Sequence, residues 1–469
     1  MTTLVSLFDY FALAYLAIVV SSYGLTSLIA LAPLTRLRLR ADRFHTAEAI
    51  AAASAPPISL LVPMYNEAAV CVASVRALLG VAYPTREILV VNDGSSDATL
   101  DRMIAAFDLE PAPRLPTSGL HHAAVRAVYR SRVQPDLWLI DKANGGKADA
   151  LNAGLAYCRT PFFCMLDGDS LLAQDALVRA VQPFLEDATT IAVGGTIGVA
   201  NDATLRHGHV ADVRMPRSWL ARFQALEYLR AFAASRTGWA AFNGLLIVSG
   251  AFGLFRREPV VAIGGLDDDS VGEDMELVVR LHRYQLKTGT PYRVAYAPDA
   301  ISWTEVPESL AVLGRQRDRW HRGLAQVLWR HRRMMFRRTY GRIGWLSMPA
   351  FVFVELLGPV AELLGLVSLA VLSVLGFVDW QTAALMYLFV LTLGVAQSLS
   401  AVALEQLAFR RYTRTRDVLL LLALSVLENL GYRQLTVFWR LRGIVGFLRD
   451  DQSWGEMTRT GFADAPSPA

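Results

Sequence analysis

Between residues 58 and 166, short apolar runs alternate with longer stretches in which apolar residues recur at helical spacing. The short runs predict strands over residues 58–62, 87–91, 136–140 and 162–166. The longer stretches predict helices over residues 67–79, from near Asp97, and over 148–158. Strands that alternate with helices in this way are typical of βαβ units. The pattern therefore predicts an α/β domain with a largely parallel sheet.

Much longer apolar stretches lie near both ends of the chain. Residues 11–34 are uncharged and long enough to cross a ~30 Å hydrocarbon core as a helix. Three more stretches cover residues 346–377, 383–408 and 418–448. They contain the carboxylates Glu355, Glu362 and Glu428, which at membrane depth should face a polar interior or a partner. These interruptions leave the number of C-terminal crossings open, at about three.

Arginines set the predicted orientation of the membrane segments. Four of them lie between residues 36 and 43, directly after the first apolar stretch, and four more lie in the loop 410–416. Loops rich in arginine stay on the cytoplasmic side. Ala30-Leu31-Ala32 resembles a signal-peptide cleavage site, but no basic region precedes the apolar stretch and Pro33 follows the site. We therefore expect a retained anchor.

The predicted organisation follows from these segments. It comprises an N-terminal anchor (1–43), an alanine-rich linker (44–57), a cytosolic α/β domain (58–310), amphipathic interface helices (311–345), a transmembrane region (346–448) and a tail (449–469). The expected location is the inner (plasma) membrane, crossed several times.

Composition supports a membrane protein. Hydrophobic residues make up 53% of the chain, charged residues 19%, and the mean hydropathy is +0.32. A soluble enzyme usually carries more charge. The net charge is only +4, and the arginines cluster beside the apolar stretches, which favours a membrane surface over nucleic acid. Cys71, Cys158 and Cys164 form no C-x-x-C pair, so neither a disulfide framework nor a zinc site is indicated.

Polar clusters follow the four predicted strands at the points where they end. The clusters are residues 63–67, 92–97, 141–147 and 167–170. Ligands of open parallel sheets bind outside the carboxyl ends of the strands. We therefore expect the four clusters to meet in one crevice.

The last of these clusters could bind a divalent cation. Asp167-Gly168-Asp169 places two carboxylates on a tight turn, which is a half-site for Mg²⁺ or Mn²⁺. Such a cation takes its remaining ligands from waters and a diphosphate. A loop of solvated carboxylates is the alternative, and it stays open because D-x-D is common.

Two further clusters could contact a nucleotide. Gly145 and Gly146 precede a helix and could offer backbone N–H groups to phosphate, with Lys147 adding a positive charge. A flexible loop is the alternative. Asp93 could accept hydrogen bonds from a base or ribose, or could only shape the turn, while Asp97 caps the following helix.

Two later motifs could act on a polar substrate. Gly272-Glu273-Asp274 opens a helix, where acidic residues either cap it or supply the carboxylate base that deprotonates a hydroxyl. Gln316, Arg319 and Trp320 lie on an arginine-rich amphipathic helix. That helix could lie on the membrane surface, or it could place Trp320 on a sugar ring and Arg319 on a diphosphate.

Together these motifs resemble the membrane-bound members of glycosyltransferase family 2. These are the processive cellulose, hyaluronan, chitin-oligosaccharide and poly-N-acetylglucosamine synthases, and the last group is most similar. The matching segments are 62–67, 93–97, 146–152, 167–169, 272–274 and Gln316-x-x-Arg319-Trp320, in the family's order. The resemblance implies a GT-A-type, Rossmann-like catalytic domain flanked by transmembrane helices.

The resemblance also implies roles for individual residues. The nucleotide-sugar would be bound by Pro63, Tyr65, Glu67, Asp93, Lys147 and Asp167. Asp169, with Asp167 beside it, would bind the Mg²⁺ or Mn²⁺ ion, and Asp274 would be the catalytic base. Gln316, Arg319 and Trp320 would hold the acceptor terminus and the diphosphate. Segments 224–228 and 249–252 look like acceptor-side segments of the same family.

The function implied is inverting transfer from a nucleotide-sugar, perhaps UDP-N-acetylglucosamine, to a growing β-linked polysaccharide that is exported. A non-processive transferase that makes a glycolipid is the alternative, and a non-catalytic membrane partner is a third reading. The implied partners are the donor, a glycan or lipid acceptor, membrane lipids and accessory export or synthase subunits. Gly272 stands where several synthases have Thr, and residues 249–252 lack a Cys. These departures favour a hexosamine or another β-glycan over cellulose.

Overall fold

The computed structural model describes residues 2–41, 55–206 and 209–449. Most of the predicted linker and nearly all of the predicted tail lie outside these residues. The described chain divides into two compact units. The α/β unit comprises residues 55–206, 209–217 and 243–306, and the helical unit comprises residues 2–38, 218–242 and 307–449.

Residues 218–242 do not follow the domain boundaries predicted from the sequence. They were expected within the 58–310 domain but belong to the helical unit. Two kinds of contact hold them there. Arg230 forms an ion pair with Glu428 and donates a hydrogen bond to Ser398 Oγ at 2.7 Å. Ala234 packs in one apolar cluster with Ala30 and Ala401 of the same unit.

The helices are numbered in chain order. They are α1 (Thr2–Ala41), α2 (Cys71–Leu79), α3 (Thr99–Phe107), α4 (Lys147–Tyr157), α5 (Ala176–Glu186), α6 (Trp219–Tyr228), α7 (Thr237–Ala241), α8 (Arg257–Ala262), α9 (Glu273–Thr288), α10 (Leu310–Arg330), α11 (Ile343–Leu356), α12 (Gly358–Val374), α13 (Trp380–Ala408), α14 (Thr415–Leu427) and α15 (Tyr432–Leu448). A π-helical segment, Leu229–Arg236, joins α6 to α7.

The strands of the α/β unit are likewise numbered in chain order. They are β1 (Ile58–Met64), β2 (Arg86–Asp93), β3 (Leu109–Pro111), β4 (Val125–Ser131), β5 (Leu137–Lys142), β6 (Phe162–Leu166), β7 (Leu171–Leu172), β8 (Thr190–Val199), β9 (Thr204–Arg206), β10 (His209–Asp212), β11 (Phe252–Arg256) and β12 (Arg293–Thr304). Within the described residues, ten of them form one sheet in the order β3-β4-β5-β2-β1-β6-β11-β8-β12-β7, and β9 pairs with β10.

The centre of the large sheet is parallel, as the sequence predicts. Strands β5, β2, β1 and β6 run in the same direction. The flanks are different: β4 is antiparallel to β5, and β11 is antiparallel to both β6 and β8. The sheet is therefore mixed, and its parallel core is the part that the βαβ pattern predicts.

Helix α4 packs unusually close to the sheet because its buried face is built from small residues. Ala150, Ala153 and Ala156 pack with Val91 and Ile140 in one core cluster. A Cβ atom on Gly154 would lie only 3.2 Å from the Leu61 side chain and 3.3 Å from that of Val91. This close packing fixes the N-terminus of α4 at the carboxyl ends of the central strands.

The helical unit contains two helices long and apolar enough to cross a membrane. They are Ala17–Arg38, within α1, and Trp380–Ala408, which is α13. Two bent pairs, α11 with α12 and α14 with α15, raise the number to four if each pair is one span.

Carboxylates within these helices have polar partners, as expected for such positions. Tyr23 donates to Glu355 at 2.8 Å. Glu362 pairs with Arg433 at 3.1 Å, and Glu428 pairs with Arg230.

Candidate active site

The polar clusters that follow the central strands meet at one edge of the sheet. Because β1, β2, β5 and β6 are parallel, their carboxyl ends lie on the same side. The Asn66 side-chain oxygen accepts a hydrogen bond from Ser96 N at 2.9 Å, which joins the first cluster to the second. A Cβ atom on Gly168 would lie 3.1 Å from the Pro63 carbonyl oxygen, so the fourth cluster packs on the first.

The loop after β1 is held by the start of α3. Glu67 N donates to Thr99 Oγ1 at 2.9 Å, and Ala68 N donates to Asp97 Oδ2 at 3.1 Å. Asp97 also accepts from Thr99 N at 3.0 Å, but the N-cap residue of α3 is Ala98, so Asp97 lies one residue before the predicted capping position. Burial opposes ionisation, but the hydrogen bonds from Thr99 and Ala68 outweigh it and lower the pKa of Asp97. Within this loop the Tyr65 side chain is exposed.

A buried lysine joins the second and third clusters. Lys142, at the end of β5, is fully buried and forms ion pairs with Asp93 and with Asp149 Oδ1, the latter at 2.5 Å. Asp149 Oδ2 accepts a hydrogen bond from Ala123 N at 2.8 Å. Neither Lys142 nor Asp149 was predicted to be a site residue. The available signals were a lysine ending an apolar strand and an acid in the first turn of α4.

Asp93 stabilises the turn before α4, whereas the sequence suggested that it could shape its own turn after β2. Its carboxylate accepts hydrogen bonds from Gly145 N at 3.0 Å and Gly146 N at 2.8 Å. The expectation that these two glycines present free N–H groups to phosphate is therefore wrong, because both groups already donate to Asp93. Gly146 has a φ of 89°, a conformation that favours glycine.

Lys147 lies between two acidic motifs. Its Nζ is 2.6 Å from Asp167 Oδ1 and 3.2 Å from Glu273 Oε1. Burial favours the neutral amine, but the charges of Asp167 and Glu273 outweigh it and raise the pKa of Lys147 above its ordinary range. Burial also raises the pKa of Glu273, although Lys147 opposes that effect. The structure thus brings Lys147 of the Gly145-Gly146-Lys147 motif together with the D-x-D turn and the Glu273-Asp274 motif.

Asp274 is oriented by the backbone at the start of α9. Its Oδ1 accepts from Met275 N at 2.7 Å, and its Oδ2 accepts from Gly250 N at 3.1 Å. A Cβ atom on Gly250 would lie 2.9 Å from Lys147 Nζ and 3.6 Å from the Asp274 Cβ. Segment 249–252 therefore lies against Lys147 and Asp274. A glycine at position 250 leaves room for this approach.

The D-x-D turn offers ligands that suit a divalent cation. Asp169 is largely buried, and Ser170 N donates to the Asp167 carbonyl at 3.0 Å, which closes the turn. In the part of the chain that the structure describes, the groups of three or more possible metal ligands lie elsewhere, around Asp268. The D-x-D turn itself supplies two carboxylates, those of Asp167 and Asp169. This set fits Mg²⁺ or Mn²⁺ bound together with waters and a diphosphate.

Gln316, Arg319 and Trp320 belong to α10 of the helical unit. Trp320 is 44% exposed, and the Arg317 guanidinium lies 4.5 Å from the centre of its ring. The Gln316 Oε1 atom is buried without a hydrogen-bond partner among the described residues. An exposed indole and an unsatisfied amide oxygen on one helix suit a polar ligand such as a sugar.

The segment 224–228, expected on the acceptor side, packs within the helical unit. Gln224 is completely buried and donates to the Pro307 carbonyl at 2.7 Å. Glu227 pairs with Arg317 at 2.6 Å and accepts from Tyr432 at 2.9 Å. These contacts join α6, α10 and α15 within the helical unit.

Two sequence families match the chain. "Glycosyl transferase family 2" matches residues 59–112, and "Glycosyltransferase like family 2" matches residues 121–323. The matched residues include both acidic motifs, Lys147, and Gln316 to Trp320.

Similar proteins include poly-beta-1,6-N-acetyl-D-glucosamine synthases of two staphylococci. The one from Staphylococcus aureus (strain COL) is 28% identical over 274 residues, or 58% of this chain and 56% of the relative. The one from Staphylococcus epidermidis is 26% identical over the same shares. The chain thus matches little more than half the length of these relatives.

A solved structure shares the fold. The mannosyltransferase PcManGT from Pyrobaculum calidifontis, solved in complex with GDP-Man and Mn2+, is 20% identical with a TM-score of 0.51. The match covers 91% of this chain and 100% of that protein. At this identity the similarity concerns the fold alone, which is a GT-A-type domain accompanied by apolar helices.

Proposed function

Because the chain belongs to glycosyltransferase family 2, we propose that it transfers a sugar from a nucleotide-sugar to a growing β-linked glycan with inversion at the anomeric carbon. The observation that carries this proposal is the cluster formed by Lys147, Asp167 and the Glu273-Asp274 motif at the carboxyl edge of the sheet. A positive charge for the leaving group and a carboxylate for the acceptor are the two elements that such a displacement requires.

The proposed reaction is a single displacement. The acceptor hydroxyl oxygen forms a bond to the anomeric carbon, and the bond from that carbon to the diphosphate oxygen breaks. The nucleoside diphosphate leaves with the bonding electron pair, and Asp274 takes the acceptor's proton. Backbone N–H groups of Gly250 and Met275 hold the Asp274 carboxylate in a fixed orientation. One displacement from an α-linked donor gives a β-linkage.

Asp167 and Asp169 would hold the divalent cation, which when bound neutralises charge on the leaving diphosphate. Lys147 adds a second positive charge beside Asp167. Pro63, Tyr65, Glu67 and Asp93 would line the nucleotide site at the same edge of the sheet. Asp93 would contact the nucleotide, and its carboxylate also accepts the hydrogen bonds from Gly145 N and Gly146 N that maintain the turn.

We propose UDP-N-acetylglucosamine as donor and poly-N-acetylglucosamine as product, because the relatives that match this chain are named as synthases of that polymer. Gln316, Arg319 and Trp320 would bind the acceptor terminus and the diphosphate. The helices of the helical unit would span the inner membrane with the α/β unit in the cytosol, and export subunits would act with it.

The test is nucleotide release and product size from purified protein in lipid nanodiscs. UDP-N-acetylglucosamine, UDP-glucose and GDP-mannose are compared, each with Mg²⁺ and with Mn²⁺. We expect UDP release and a ladder of products from the first donor. A single glycolipid product would establish the non-processive alternative, and no release from any donor would contradict the proposal.

Asp274→Asn tests the proposed base. We expect turnover to fall about 10²–10⁴-fold, because a positioned general base contributes that factor. Binding of the donor should be retained, since Asp274 is proposed to act on the acceptor. Asp101→Asn, at an exposed position on α3, is the matched control and should keep full turnover. Unchanged turnover in Asp274→Asn would refute the assignment of the base.

A further inference from the structure

The connection between α10 and α11 has an unusual composition. Residues 329–346 contain six arginines, three large exposed aromatic residues and no acidic residue. The chain enters the bent apolar pair of α11 and α12 at Ile343, within this same segment. We call residues 329–346 the basic loop.

The basic loop is a folded structure with a buried side. Met334, Tyr340 and Ile343 are buried and anchor it. Two single 3₁₀ turns, Arg332–Met334 and Arg338–Tyr340, give it a compact path. A hydrogen bond from Phe336 N to the Gly344 carbonyl, at 2.9 Å, closes it. Its opposite side is therefore presented in a fixed conformation.

The exposed side combines aromatic rings with cations. Trp329, Phe336 and Trp345 are 59%, 49% and 51% exposed. Phe336 has a φ of 57°, which is rare for a large side chain, and its ring packs edge-on against Trp345 at 5.4 Å. The structure thus holds an aromatic pair outward in a conformation that a free chain would avoid.

Three arginines lie within three residues of Phe336 along the chain. Arg333, Arg337 and Arg338 are exposed, and none of the described residues gives their guanidinium groups a carboxylate partner. Exposed arginines without acidic partners carry an uncompensated positive charge, and the planar guanidinium matches the geometry of a phosphate. Aromatic side chains of this kind prefer the boundary between lipid and water.

We propose that the basic loop is a preformed docking surface for anionic phospholipid headgroups. Arg333, Arg337 and Arg338 bind the headgroup phosphates, while Phe336 and Trp345 insert among the lipid headgroups. Charge complementarity selects an anionic lipid over a zwitterionic one, because the loop contains no acid that could attract a choline group. This inference is independent of the sugar chemistry, since it concerns binding to lipid in the absence of any donor.

The experiment uses the full-length protein in neutral detergent and titrates it with lipid. The midpoint of thermal unfolding is followed as phosphatidylglycerol, phosphatidylcholine or inorganic phosphate is added. We expect phosphatidylglycerol to stabilise the wild type at far lower concentration than phosphatidylcholine, and inorganic phosphate to have no effect. Stabilisation by phosphate alone would identify a free-anion site and overturn the proposal.

The triple variant Arg333→Gln/Arg337→Gln/Arg338→Gln should need roughly 100-fold more phosphatidylglycerol for the same shift, because three charges close to an anionic surface are lost. The matched control, Arg76→Gln/Arg159→Gln/Arg283→Gln, removes three exposed arginines from the α/β unit and should respond like the wild type.

A lysine version of the triple variant distinguishes the loss of positive charge from a folding defect. Arg333→Lys/Arg337→Lys/Arg338→Lys keeps the charge and should keep most of the response to phosphatidylglycerol. An unchanged response in the glutamine variant, or an equal loss in the control variant, would overturn the proposal.

Discussion

Lys142 is the residue whose role depends most on contacts that are distant in sequence. It ends β5, where a lysine would ordinarily extend into solvent, yet it is fully buried between Asp93 and Asp149. Its charge compensates two carboxylates that come from β2 and α4. Through Asp93 it also supports the Gly145-Gly146 turn that precedes Lys147.

Lys142→Met should therefore destabilise the protein strongly. Removing the cation leaves two buried carboxylates facing each other, and breaking a buried ion pair on one side costs about 3–5 kcal/mol. The measurement is chemical unfolding of the purified protein, followed by near-UV circular dichroism. Lys287→Met, at an exposed position in the last turn of α9, is the control and should change stability little. Equal stability of the two variants would contradict the role of Lys142.

His282 gives the α/β unit a predictable response to acid. It is fully buried, its Nε2 lies 2.8 Å from the Leu245 carbonyl, and its Nδ1 lies 2.8 Å from the Tyr292 hydroxyl. Burial lowers the pKa of His282 to about 4, although the Leu245 carbonyl opposes this. The unfolded chain, with a histidine pKa of about 6.5, takes up a proton that the folded chain does not.

The free energy of unfolding should consequently fall as the pH drops from about 6.5 towards 4, by about 3 kcal/mol from this residue alone. His282→Gln removes the titrating group. It should be less stable than the wild type at neutral pH, and the difference should shrink as the solution is acidified. A difference that stays constant with pH would show that His282 does not contribute in this way.

The acidic motifs show how far residue-level prediction reaches. Asp167 and Asp274 could be predicted as site residues because each lies at a recognisable element boundary. Glu273, Lys142 and Asp149 were not identified as site residues, because their importance comes from pairing with partners far along the chain. The expectation of free N–H groups at Gly145 and Gly146 was wrong for the same reason. The acceptor of both groups, Asp93, lies more than fifty residues earlier in the chain.

At the scale of elements, the turn after β2 fits tightly against the turn after β5. Gly94 has a φ of +67°, and a Cβ atom there would lie 2.6 Å from Asn144 N. Asn144 also donates to the Asp93 carbonyl at 2.8 Å. The two turns therefore hold each other and fix the strand ends that carry Asp93 and Lys142.

Gly94→Ala should disturb both turns at once. Steric overlap with a backbone atom and an unfavourable φ should together cost about 2–4 kcal/mol and weaken donor binding. Gly119→Ala is the matched control, because a Cβ atom there meets nothing within 4 Å. Thermal unfolding and isothermal titration with the nucleotide-sugar measure the two effects. A Gly94→Ala protein that behaves like Gly119→Ala would contradict this view of the turns.

Elements were predicted well where burial alone determines them. The four central strands are short apolar runs covered on both faces, so their positions follow from the sequence. The antiparallel strands β4 and β11 could not be placed, because strand pairing depends on partners elsewhere in the chain. Residues 218–242 were misplaced for a related reason, since Arg230 finds its partner, Glu428, almost two hundred residues later.

At the scale of the whole molecule, the side of the membrane on which each loop lies remains a prediction from charge. Arginine-rich segments at 329–342 and 410–416 belong on the cytoplasmic side by the positive-inside tendency. If α11 and α12 together form one span and α13 forms the next, the turn between α12 and α13 lies on the opposite side. That turn contains one charged residue, Asp379, which caps α13.

Single cysteines can test this topology directly. Cys71, Cys158 and Cys164 are all buried, so a membrane-impermeant maleimide should label the native protein weakly in intact cells. Gln381→Cys, exposed at the start of α13, should be labelled in intact cells, because the predicted topology places it on the periplasmic side. Arg338→Cys and Arg416→Cys, both exposed, should be labelled only after the inner membrane is permeabilised. Labelling of Arg338→Cys in intact cells would place the basic loop outside the cytosol, and a cytosolic nucleotide-sugar could then not be the donor.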